Sequence, residues 1–245
     1  MAGEKVAFIT GGNKGLGLET ARQLGKLGIK VVIGSRDLAK GKEAVAKLKA
    51  DGVDAEAIKF DVLNPADYKD VYKYFDQHYG KLDILINNAG VSKENFLSGN
   101  KTSTTSPELL HDTFDTNFFG VIEITQTLLP LIKKAPAGRI VNLSSILGSI
   151  ALHADPKSQI YDAKAFAYDA SKAALNSFTV HLAHELKDTK IKVNSAHPGW
   201  VKTDMGGDAA PMELPDGAKT SVKLATLPDD GPTGAYIHLD QTLPW

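Results

Sequence analysis

A tyrosine and a lysine in the segment YDASK, residues 168–172, have the spacing needed for acid–base chemistry. Tyr168 and Lys172 are four positions apart, so on a helix they share one face. A tyrosine with a pKa of about 10 must lose roughly 3 units, or ~4 kcal/mol, to exchange protons near neutrality. A lysine ammonium at ~4 Å supplies about 4 kcal/mol at an effective dielectric constant of 20. The pair therefore predicts a tyrosine acid whose pKa the lysine lowers. The nearby Tyr161 lacks this spacing, because Lys164 is three positions away.

A glycine-rich turn lies near the start of the chain, where VAFIT (6–10) leads into GGNKGLG (11–17). Glycines let a phosphate approach backbone amides, and a helix that begins near Gly15 adds partial positive charge. The spacing is G-x-x-x-G-x-G, which is neither G-x-G-x-x-G nor the G-K-[ST] of a Walker motif. A plain tight turn explains the glycines equally well. The candidate phosphate-binding residues are Gly11, Asn13, Lys14, Gly15, Leu16 and Gly17.

The second predicted strand, KVVIGS (30–35), ends in Ser35 and is followed by Arg36. In dinucleotide-binding folds an acidic residue here bonds to the adenosine ribose hydroxyls. A carboxylate would repel a 2′-phosphate, whereas serine and arginine accept one, and Lys14 can reach the same phosphate as a point charge. We therefore predict NADP(H) rather than NAD as the cofactor. The alternative is that Lys14 and Arg36 are solvated surface cations, as most lysines and arginines are.

Short apolar runs alternate with amphipathic segments along the chain. Buried strands are predicted at 6–10, 30–35, 57–62, 82–87, 139–144 and 191–196, with a weaker one at 235–239. Helices are predicted over 37–51, after the cap Asn64 and after the cap Ser106. This alternation indicates an α/β Rossmann fold with a doubly wound, mostly parallel, seven-stranded sheet and helices on both faces. We expect one domain over 1–245, with a cofactor half at about 1–145 and a catalytic and substrate half at about 146–245.

The composition is typical of a globular protein: 42% of the 245 residues are hydrophobic and 23% are charged. A net charge of -1 argues against broad binding to nucleic acids or anionic membranes. The absence of cysteine excludes disulfides and thiolate metal sites and fits a reducing compartment. No apolar run approaches the ~20 residues that span a bilayer, and the first residues lack the features of a signal peptide. We therefore expect a cytoplasmic protein without a nucleic-acid or membrane partner.

Several motifs occur in a fixed order along the chain. The glycine turn is followed by NNAG (87–90), VNLSS (141–145), YDASK and HPGWVKTDM (197–205). This ordered set resembles the short-chain dehydrogenase/reductase family over nearly the whole chain. Within that family, the same segments together with TNFFG (116–120) and Trp245 look most like the NADPH-dependent carbonyl reductases.

The resemblance implies catalytic roles for four residues. Tyr168 would protonate the carbonyl oxygen, and Lys172 would lower the pKa of Tyr168 and hold the nicotinamide ribose. Ser145 would hydrogen-bond the same carbonyl oxygen. Asn117 would anchor a water that links Lys172 to solvent. Two alternatives stay open: Asn117 as a mere cap at a kink, and Ser144 in place of Ser145, although the family pattern favours the second serine.

The resemblance also implies contacts with the remaining parts of the cofactor. Asp61 and Val62 would contact the adenine, and the residues after the fourth strand the adenosine side. The nicotinamide end would lie against the segment after the sixth strand. The residues implied for these two regions are Asn88, Ala89 and Gly90, and Pro198, Gly199, Val201 and Thr203.

Two irregular segments, 91–105 and 200–217, follow strands and can cover a site. Apolar residues in or near them favour a small-molecule carbonyl substrate that is apolar or aromatic. The candidate pocket residues are Ile146, Trp200 and Met205, with Met212 and Phe96 as further candidates.

One departure from the family pattern is that Ser145 and Tyr168 lie 23 positions apart, about ten more than in many members. In carbonyl reductases a longer insertion covers a surface that other members use to form oligomers. The insert at 146–167 is intermediate in length, so monomer, dimer and tetramer all stay open.

These features together favour an NADPH-dependent carbonyl reductase. An NAD(P)-linked secondary alcohol dehydrogenase of the same family is one alternative, and a non-catalytic dinucleotide sensor is another, although a sensor would be expected to lack the tyrosine or the lysine. His181 and His184 share a helical face but do not form H-E-x-x-H, so no metal site is predicted.

Overall fold

The computed structural model describes residues 4–94 and 99–245. In this part of the chain, eight strands form one sheet in the order β3-β2-β1-β4-β5-β6-β7-β8. The strands are β1 (Val6–Ile9), β2 (Lys30–Ser35), β3 (Ala55–Lys59), β4 (Ile84–Asn87), β5 (Arg139–Leu143), β6 (Lys192–Ala196), β7 (Tyr236–His238) and β8 (Gln241–Thr242). All neighbouring pairs are parallel except β7 and β8. The sheet confirms the predicted doubly wound architecture.

Two details of the sheet differ from the prediction. The third strand was expected at 57–62, but β3 pairs with β2 only over Ala55–Lys59. Phe60 still donates its N–H to Ser35, and its side chain is buried in the core beyond the end of the strand. The apolar pattern therefore reports burial there rather than pairing. The eighth strand was not predicted, because two residues are too few for a periodic pattern.

Eight α-helices accompany the strands in the described residues. They are α1 (Gly15–Lys26), α2 (Leu38–Ala50), α3 (Pro65–His78), α4 (Pro107–Phe114), α5 (Gly120–Lys133), α6 (Ile150–Ala154), α7 (Phe166–Glu185) and α8 (Leu214–Ala225). The predicted caps are confirmed: Asn64 accepts a hydrogen bond from Ala66 N, and Ser106 accepts one from Leu109 N. A π-helical segment, Asp115–Phe119, connects α4 to α5.

Two hydrophobic cores lie on opposite faces of the sheet. Because side chains alternate along β1, Phe8 packs with Phe75 of α3 in one core, whereas Ile9 packs with Leu24 of α1 in the other. The first core also takes residues from α5 and α7, and the second takes residues from α2 and α8. This burial on both faces explains why the strands are apolar throughout.

The strand order reverses between β1 and β4, which are neighbours at the centre of the sheet. The glycine turn follows β1, and the residues 88–90 follow β4. Ser145 follows β5, and the segment that begins at His197 follows β6. All four segments thus lie at the carboxyl edge of the sheet, where ligands bind in open α/β folds.

Candidate active site

Tyr168 lies in the first turn of α7, and Ser145 follows β5 directly. The Ser145 side chain hydrogen-bonds to that of Tyr168. The Tyr168 backbone N–H donates to the Glu94 carboxylate at 2.9 Å, which ties the start of α7 to the segment after β4. Tyr168 is only 6% exposed. The structure therefore brings together the tyrosine and serine that the sequence placed 23 residues apart.

The side chain of the neighbouring Ser144 lies against Tyr236 rather than Tyr168. Ser144 is buried, and its backbone N–H donates to the carbonyl oxygen of Ala196 on β6. Ser145 is half-buried at the end of the strand, where its hydroxyl also accepts a hydrogen bond from Leu147 N at 3.3 Å. Of the two serines, Ser145 thus lies beside Tyr168.

Burial controls the pKa values of Tyr168 and Lys172. It raises the pKa of Tyr168 to about 12, opposed by the hydrogen bond from Ser145 and reinforced by the negative charge of Asp169. It also lowers the pKa of Lys172 to about 8. The expected lowering of the tyrosine pKa by the lysine is therefore absent from this structure. Nζ of Lys172 lies 5.6 Å from the Tyr168 ring centroid and donates to the carbonyl oxygen of Leu143 at 2.8 Å, so burial outweighs the attraction.

Lys172 and Asn117 meet next to Gly90. A Cβ atom built on Gly90 would lie 3.3 Å from Oδ1 of Asn117 and 3.5 Å from Nζ of Lys172. The Asn117 amide bonds to both backbone polar groups of Val91, accepting at 2.8 Å and donating at 2.9 Å, and also donates to Ser171 Oγ at 3.0 Å. Asn117 therefore braces the segment after β4 against α7 at the π-helical kink. Its role in a proton relay stays a prediction.

The glycine turn has the geometry of a phosphate cradle. Gly11 and Gly15 have φ angles of +62° and +54°, which L-residues with a side chain rarely adopt. A Cβ atom on Gly17 would lie 2.5 Å from Nδ2 of Asn88 and 2.6 Å from the carbonyl oxygen of Gly11. Lys14 is the N-cap residue of α1 and provides no side-chain cap, so amides of the first turn can face a ligand. The residues present therefore fit the pyrophosphate of a dinucleotide.

Asn88 and Ala89 hold this turn in place through Thr10, which sequence reasoning missed. The backbone N–H groups of Asn88 and Ala89 both donate to Oγ1 of Thr10 at 3.0 Å. Nδ2 of Asn88 donates to the carbonyl oxygens of Thr10 at 2.8 Å and of Gly11 at 3.1 Å. The one available signal was a threonine directly after β1 and before the glycines.

The predicted 2′-phosphate residues lie next to the turn, because Gly12 N donates to the carbonyl oxygen of Gly34 on β2. Arg36 is exposed just beyond β2. Ser35 is buried, and its hydroxyl donates to the carbonyl oxygen of Asp37 at 2.7 Å. Lys14 is exposed but forms a 2.6 Å ion pair with Asp204, so it also links the turn to the segment after β6.

The predicted adenine-contact residues lie after β3. The Asp61 carboxylate accepts a hydrogen bond from Leu63 N at 3.0 Å, and Asp61 N donates to Asp67 at 2.8 Å. Val62 is buried, and its carbonyl oxygen accepts a hydrogen bond from the hydroxyl of Tyr68. Both residues thus stabilise the turn into α3.

The segment after β6 folds back over the glycine turn. Gly199 has a φ angle of +92°, Pro198 is half-buried and Val201 is buried. A Cβ atom on Gly15 would lie 3.9 Å from Cγ2 of Thr203, so this segment contacts the start of α1. Of the predicted nicotinamide-end residues, Thr203 therefore lies next to the glycine turn.

The predicted pocket residues are only partly placed together. Trp200 and Met205 are 48% and 40% exposed on the segment after β6, and the Trp200 indole donates to the carbonyl oxygen of Gly206 at 2.8 Å. Ile146 is half-buried next to Ser145, and Met212 packs near Gly199. Phe96 lies outside the described residues.

Two further residues near the site were given no role from the sequence: Tyr236, and His197, which appeared only as the first residue of the motif HPGWVKTDM. Nδ1 of His197 accepts a hydrogen bond from Ile146 N at 3.1 Å, and the Tyr236 hydroxyl donates to the carbonyl oxygen of Ser145. No sequence pattern predicts these contacts, because His197 follows β6 and Tyr236 begins β7, both far along the chain from Ser145 and Ile146.

Metal and membrane features are not found in the described part of the chain. No cluster of three or more His, Cys, Asp or Glu residues at 4–94 and 99–245 is arranged to hold a metal ion. Over the same residues, no helix combines the length and the apolar character needed to cross a bilayer.

Comparisons with known proteins match the chain along almost its full length. The family model for short chain dehydrogenases matches residues 5–214. The chain is 32% identical to human carbonyl reductase (NADPH) 1, over 100% of this chain and 99% of that protein. It is 31% identical to (+)-neomenthol dehydrogenase of Capsicum annuum, over 96% of this chain and 95% of that one. The solved structure of an NADPH-bound carbonyl reductase from chicken fatty liver superposes with a TM-score of 0.83 at 25% identity, covering 99% of both chains.

Proposed function

The chain belongs to the short-chain dehydrogenase/reductase family, and on that basis we propose that it is a carbonyl reductase that converts an aldehyde, ketone or quinone to the alcohol with a tyrosine acid. The observation that supports the proposal is that Tyr168 hydrogen-bonds to Ser145 and that Nζ of Lys172 lies 5.6 Å from the centroid of the Tyr168 ring. The chain is an oxidoreductase of this family, and its cofactor is NADP(H).

The glycine turn and its surroundings hold the cofactor in this proposal. The first-turn amides of α1 bind the pyrophosphate, and the exposed cations Lys14 and Arg36 bind the 2′-phosphate. NADPH, when bound, supplies the hydride that adds to the carbonyl carbon. The residues after β3, β4 and β6 complete the cradle, namely Asp61, Val62, Asn88, Ala89, Gly90, Pro198, Gly199, Val201 and Thr203.

Tyr168 acts as the general acid. Its pKa of about 12 keeps the phenol protonated at neutral pH, so it can give a proton to the carbonyl oxygen as that oxygen becomes negative. Ser145, hydrogen-bonded to Tyr168, orients the same oxygen. Lys172, with a pKa of about 8, is mostly an ammonium at pH 7 and stabilises the tyrosinate that remains.

The substrate in this proposal is apolar or aromatic. Trp200 and Met205 expose large apolar surface on the segment that folds over the cradle, and Ile146 lies beside Ser145. Covering an apolar substrate removes the apolar surface of these side chains from water, which favours binding. A cytoplasmic location belongs to the proposal as well, supported by a chain without cysteine.

Replacing Tyr168 with phenylalanine tests the assignment. We expect Tyr168→Phe to lower kcat by about 10²–10⁴-fold, because the ring stays but the proton donor is lost. NADPH oxidation is measured against aliphatic ketones, aromatic aldehydes and quinones, and NADPH binding is measured separately by fluorescence. Tyr161→Phe, at an exposed tyrosine of the insert, is the matched control and should retain wild-type turnover. If Tyr161→Phe is inactive and Tyr168→Phe is not, the assignment is wrong.

Oxidation of a secondary alcohol is a second candidate, favoured by the similarity to a neomenthol dehydrogenase. The same residues can run the reaction in either direction. Comparing NADPH-linked reduction with NAD- and NADP-linked oxidation at equal cofactor concentrations separates the two. Faster oxidation with NAD would favour the dehydrogenase.

A further inference from the structure

The peptide group between Ser145 and Ile146 is bonded to protein side chains at both of its polar ends. The carbonyl oxygen of Ser145 accepts a hydrogen bond from the hydroxyl of Tyr236. The N–H of Ile146 donates to Nδ1 of His197 at 3.1 Å. These two side chains come from the start of β7 and from the residue that follows β6, so neither is near Ser145 in sequence. One peptide plane next to the candidate catalytic serine is thus fixed by two distant residues.

Tyr236 is itself rigidly placed. Its side chain is fully buried, and its ring stacks on Trp245 with centroids 5.3 Å apart and planes inclined by 19°. The main-chain oxygen of Trp245 in turn accepts hydrogen bonds from Ala151 N at 3.0 Å and from Ser149 Oγ at 3.4 Å. The tyrosine is therefore held between the sheet and the segment that continues from the serine.

His197 is held as firmly. It is 7% exposed, its backbone N–H donates to Ile237 at 2.8 Å, and its carbonyl oxygen is bonded to the ring of His238 at 2.9 Å. Nδ1 also lies 3.4 Å from the N–H of Gly199. Because Nδ1 accepts from backbone donors, the imidazole must be neutral with its proton on Nε2.

The residues after Ile146 leave little room for the turn to shift. A Cβ atom on Gly148 would lie 2.9 Å from the backbone carbon of Lys172, so the turn packs directly on α7. Nδ2 of Asn176 donates to the carbonyl oxygen of Gly148 at 3.3 Å. Ser145 and α7, which carries Tyr168, therefore keep their relative positions only while this turn stays in place.

We propose that Tyr236 and His197 are positioning residues for the reduction, because they clamp the Ser145–Ile146 peptide and thereby aim the Ser145 hydroxyl at Tyr168 and the carbonyl oxygen. The inference rests on the proposed function, because this clamp, formed by Tyr236 and His197, has a role only if Ser145 acts on the substrate. Movement of this peptide would shift the turn that follows it, including Leu147 N, which donates to the Ser145 hydroxyl at 3.3 Å and so orients that hydroxyl. Small misplacements of a catalytic group are costly, with losses on the order of 10²-fold for about 1 Å.

Both side chains keep their hydrogen-bonding roles over the pH range of an assay. Burial and the nearby His238 lower the pKa of His197 to about 3, so Nδ1 stays an acceptor. Burial raises the pKa of Tyr236, opposed by hydrogen bonds with the side chains of Asn176 and Ser144, so its hydroxyl stays protonated and able to donate. The titratable group that faces His197 is His238. The titratable group that adds to the upward pKa shift of Tyr236 is Tyr168.

A double-mutant cycle tests the tyrosine. Tyr236→Phe keeps the stacked ring and removes only the hydroxyl, and we expect kcat to fall about 10-fold while KM and the Kd of NADPH change less than about 2-fold. In the Ser145→Ala background the same change should alter kcat less than about 2-fold, because residues that act through one group are not additive. Tyr74→Phe is the matched control: its hydroxyl bonds to Glu56 on β3, far from the serine, and turnover should not change.

A rescue experiment tests the histidine. His197→Leu removes the acceptor for Ile146 N, whereas His197→Asn places an amide oxygen close to the position of Nδ1. We expect kcat to fall about 10-fold in His197→Leu and to return to within about 3-fold of wild type in His197→Asn. Hydrogen–deuterium exchange of the cofactor-free protein supplies a readout without turnover: the amide of Ile146 should exchange faster in His197→Leu than in His197→Asn.

The outcomes separate the clamp from the proposed function. If Ser145→Ala lowers kcat but Tyr236→Phe and His197→Leu do not, the clamp is wrong and the proposed function stands. Equal losses from Tyr236→Phe in both backgrounds would show a general structural effect and also overturn the clamp. If Ser145→Ala itself leaves kcat unchanged, the serine role fails, and the clamp fails with it.

Discussion

Asp169, next to the candidate catalytic tyrosine, has a largely buried carboxyl group whose ionised form is disfavoured by the loss of solvent. Its side chain is 12% exposed, and one oxygen accepts a hydrogen bond from Ala165 N at 3.0 Å. The other oxygen, Oδ1, finds no hydrogen-bond partner among residues 4–94 and 99–245. Burial raises the pKa of Asp169 to about 7, reinforced by the charge of Glu94 and opposed by Ala165 N and Lys164. Asp169→Asn keeps an oxygen that can accept from Ala165 N and removes the charge.

The size of the expected change in unfolding free energy follows from the pKa shift of Asp169. The pKa rises from 3.8 to about 7, and at 1.36 kcal/mol per unit about three units correspond to about 4 kcal/mol. Because the folded-state pKa lies above that of the unfolded chain, the unfolded state releases this proton first as pH rises. The penalty is therefore absent below about pH 4, grows through pH 7 and is constant above it. Partial solvent contact reduces the expected effect to about 2–4 kcal/mol at pH 8.

Urea unfolding followed by circular dichroism between pH 4 and pH 8 measures this difference. We expect Asp169→Asn to equal the wild type in unfolding free energy near pH 4 and to exceed it by about 2–4 kcal/mol at pH 8. Asp70→Asn, at an exposed carboxylate of α3, controls for the loss of one negative charge and should follow the wild-type curve. Parallel curves for Asp169→Asn and wild type across this range would refute the reasoning.

Two further predictions concern the cofactor cradle. Gly17→Ala places a methyl group 2.6 Å from the carbonyl oxygen of Gly11, so we expect a loss of about 1–3 kcal/mol in unfolding free energy and weaker NADPH binding by calorimetry; an unchanged Kd would contradict the cradle. Lys14→Ala combined with Arg36→Asp removes the two cations that we propose bind the 2′-phosphate, and we expect the kcat/KM preference for NADPH over NADH to fall by about 10²-fold. An unchanged preference would mean that Lys14 belongs only to its ion pair with Asp204.

Much of the fold could be predicted because its signals are local. Six of the seven expected strands match the observed bounds to within two residues, since buried parallel strands are short continuous apolar runs. The caps Asn64 and Ser106 marked helix starts through bonds to residues two or three positions away. The two-residue β8 was missed, because it exists only through its pairing with β7.

The candidate site could likewise be predicted only in part, where its features depend on local sequence. The order of the motifs and the spacing of Tyr168 and Lys172 were enough to predict candidate catalytic residues from the sequence. The direction in which the pKa of Tyr168 shifts could not be predicted from the sequence. Burial raises this pKa to about 12, and the sequence does not show how deeply the side chain is buried. Lys14 similarly pairs with Asp204, a residue 190 positions away.

The sequence by itself determined the family, the strand–helix alternation and the identity of the candidate acid, serine and lysine, because these depend on residue types at short and regular spacings. Only the tertiary structure decided which groups hold them. Tyr236 and His197 reach the Ser145–Ile146 peptide from 91 and 51 positions away, through strands that pair in the same sheet. Such contacts depend on how strands are ordered in space, and hydrogen bonds between a side chain and a distant backbone group leave no periodic pattern in the chain.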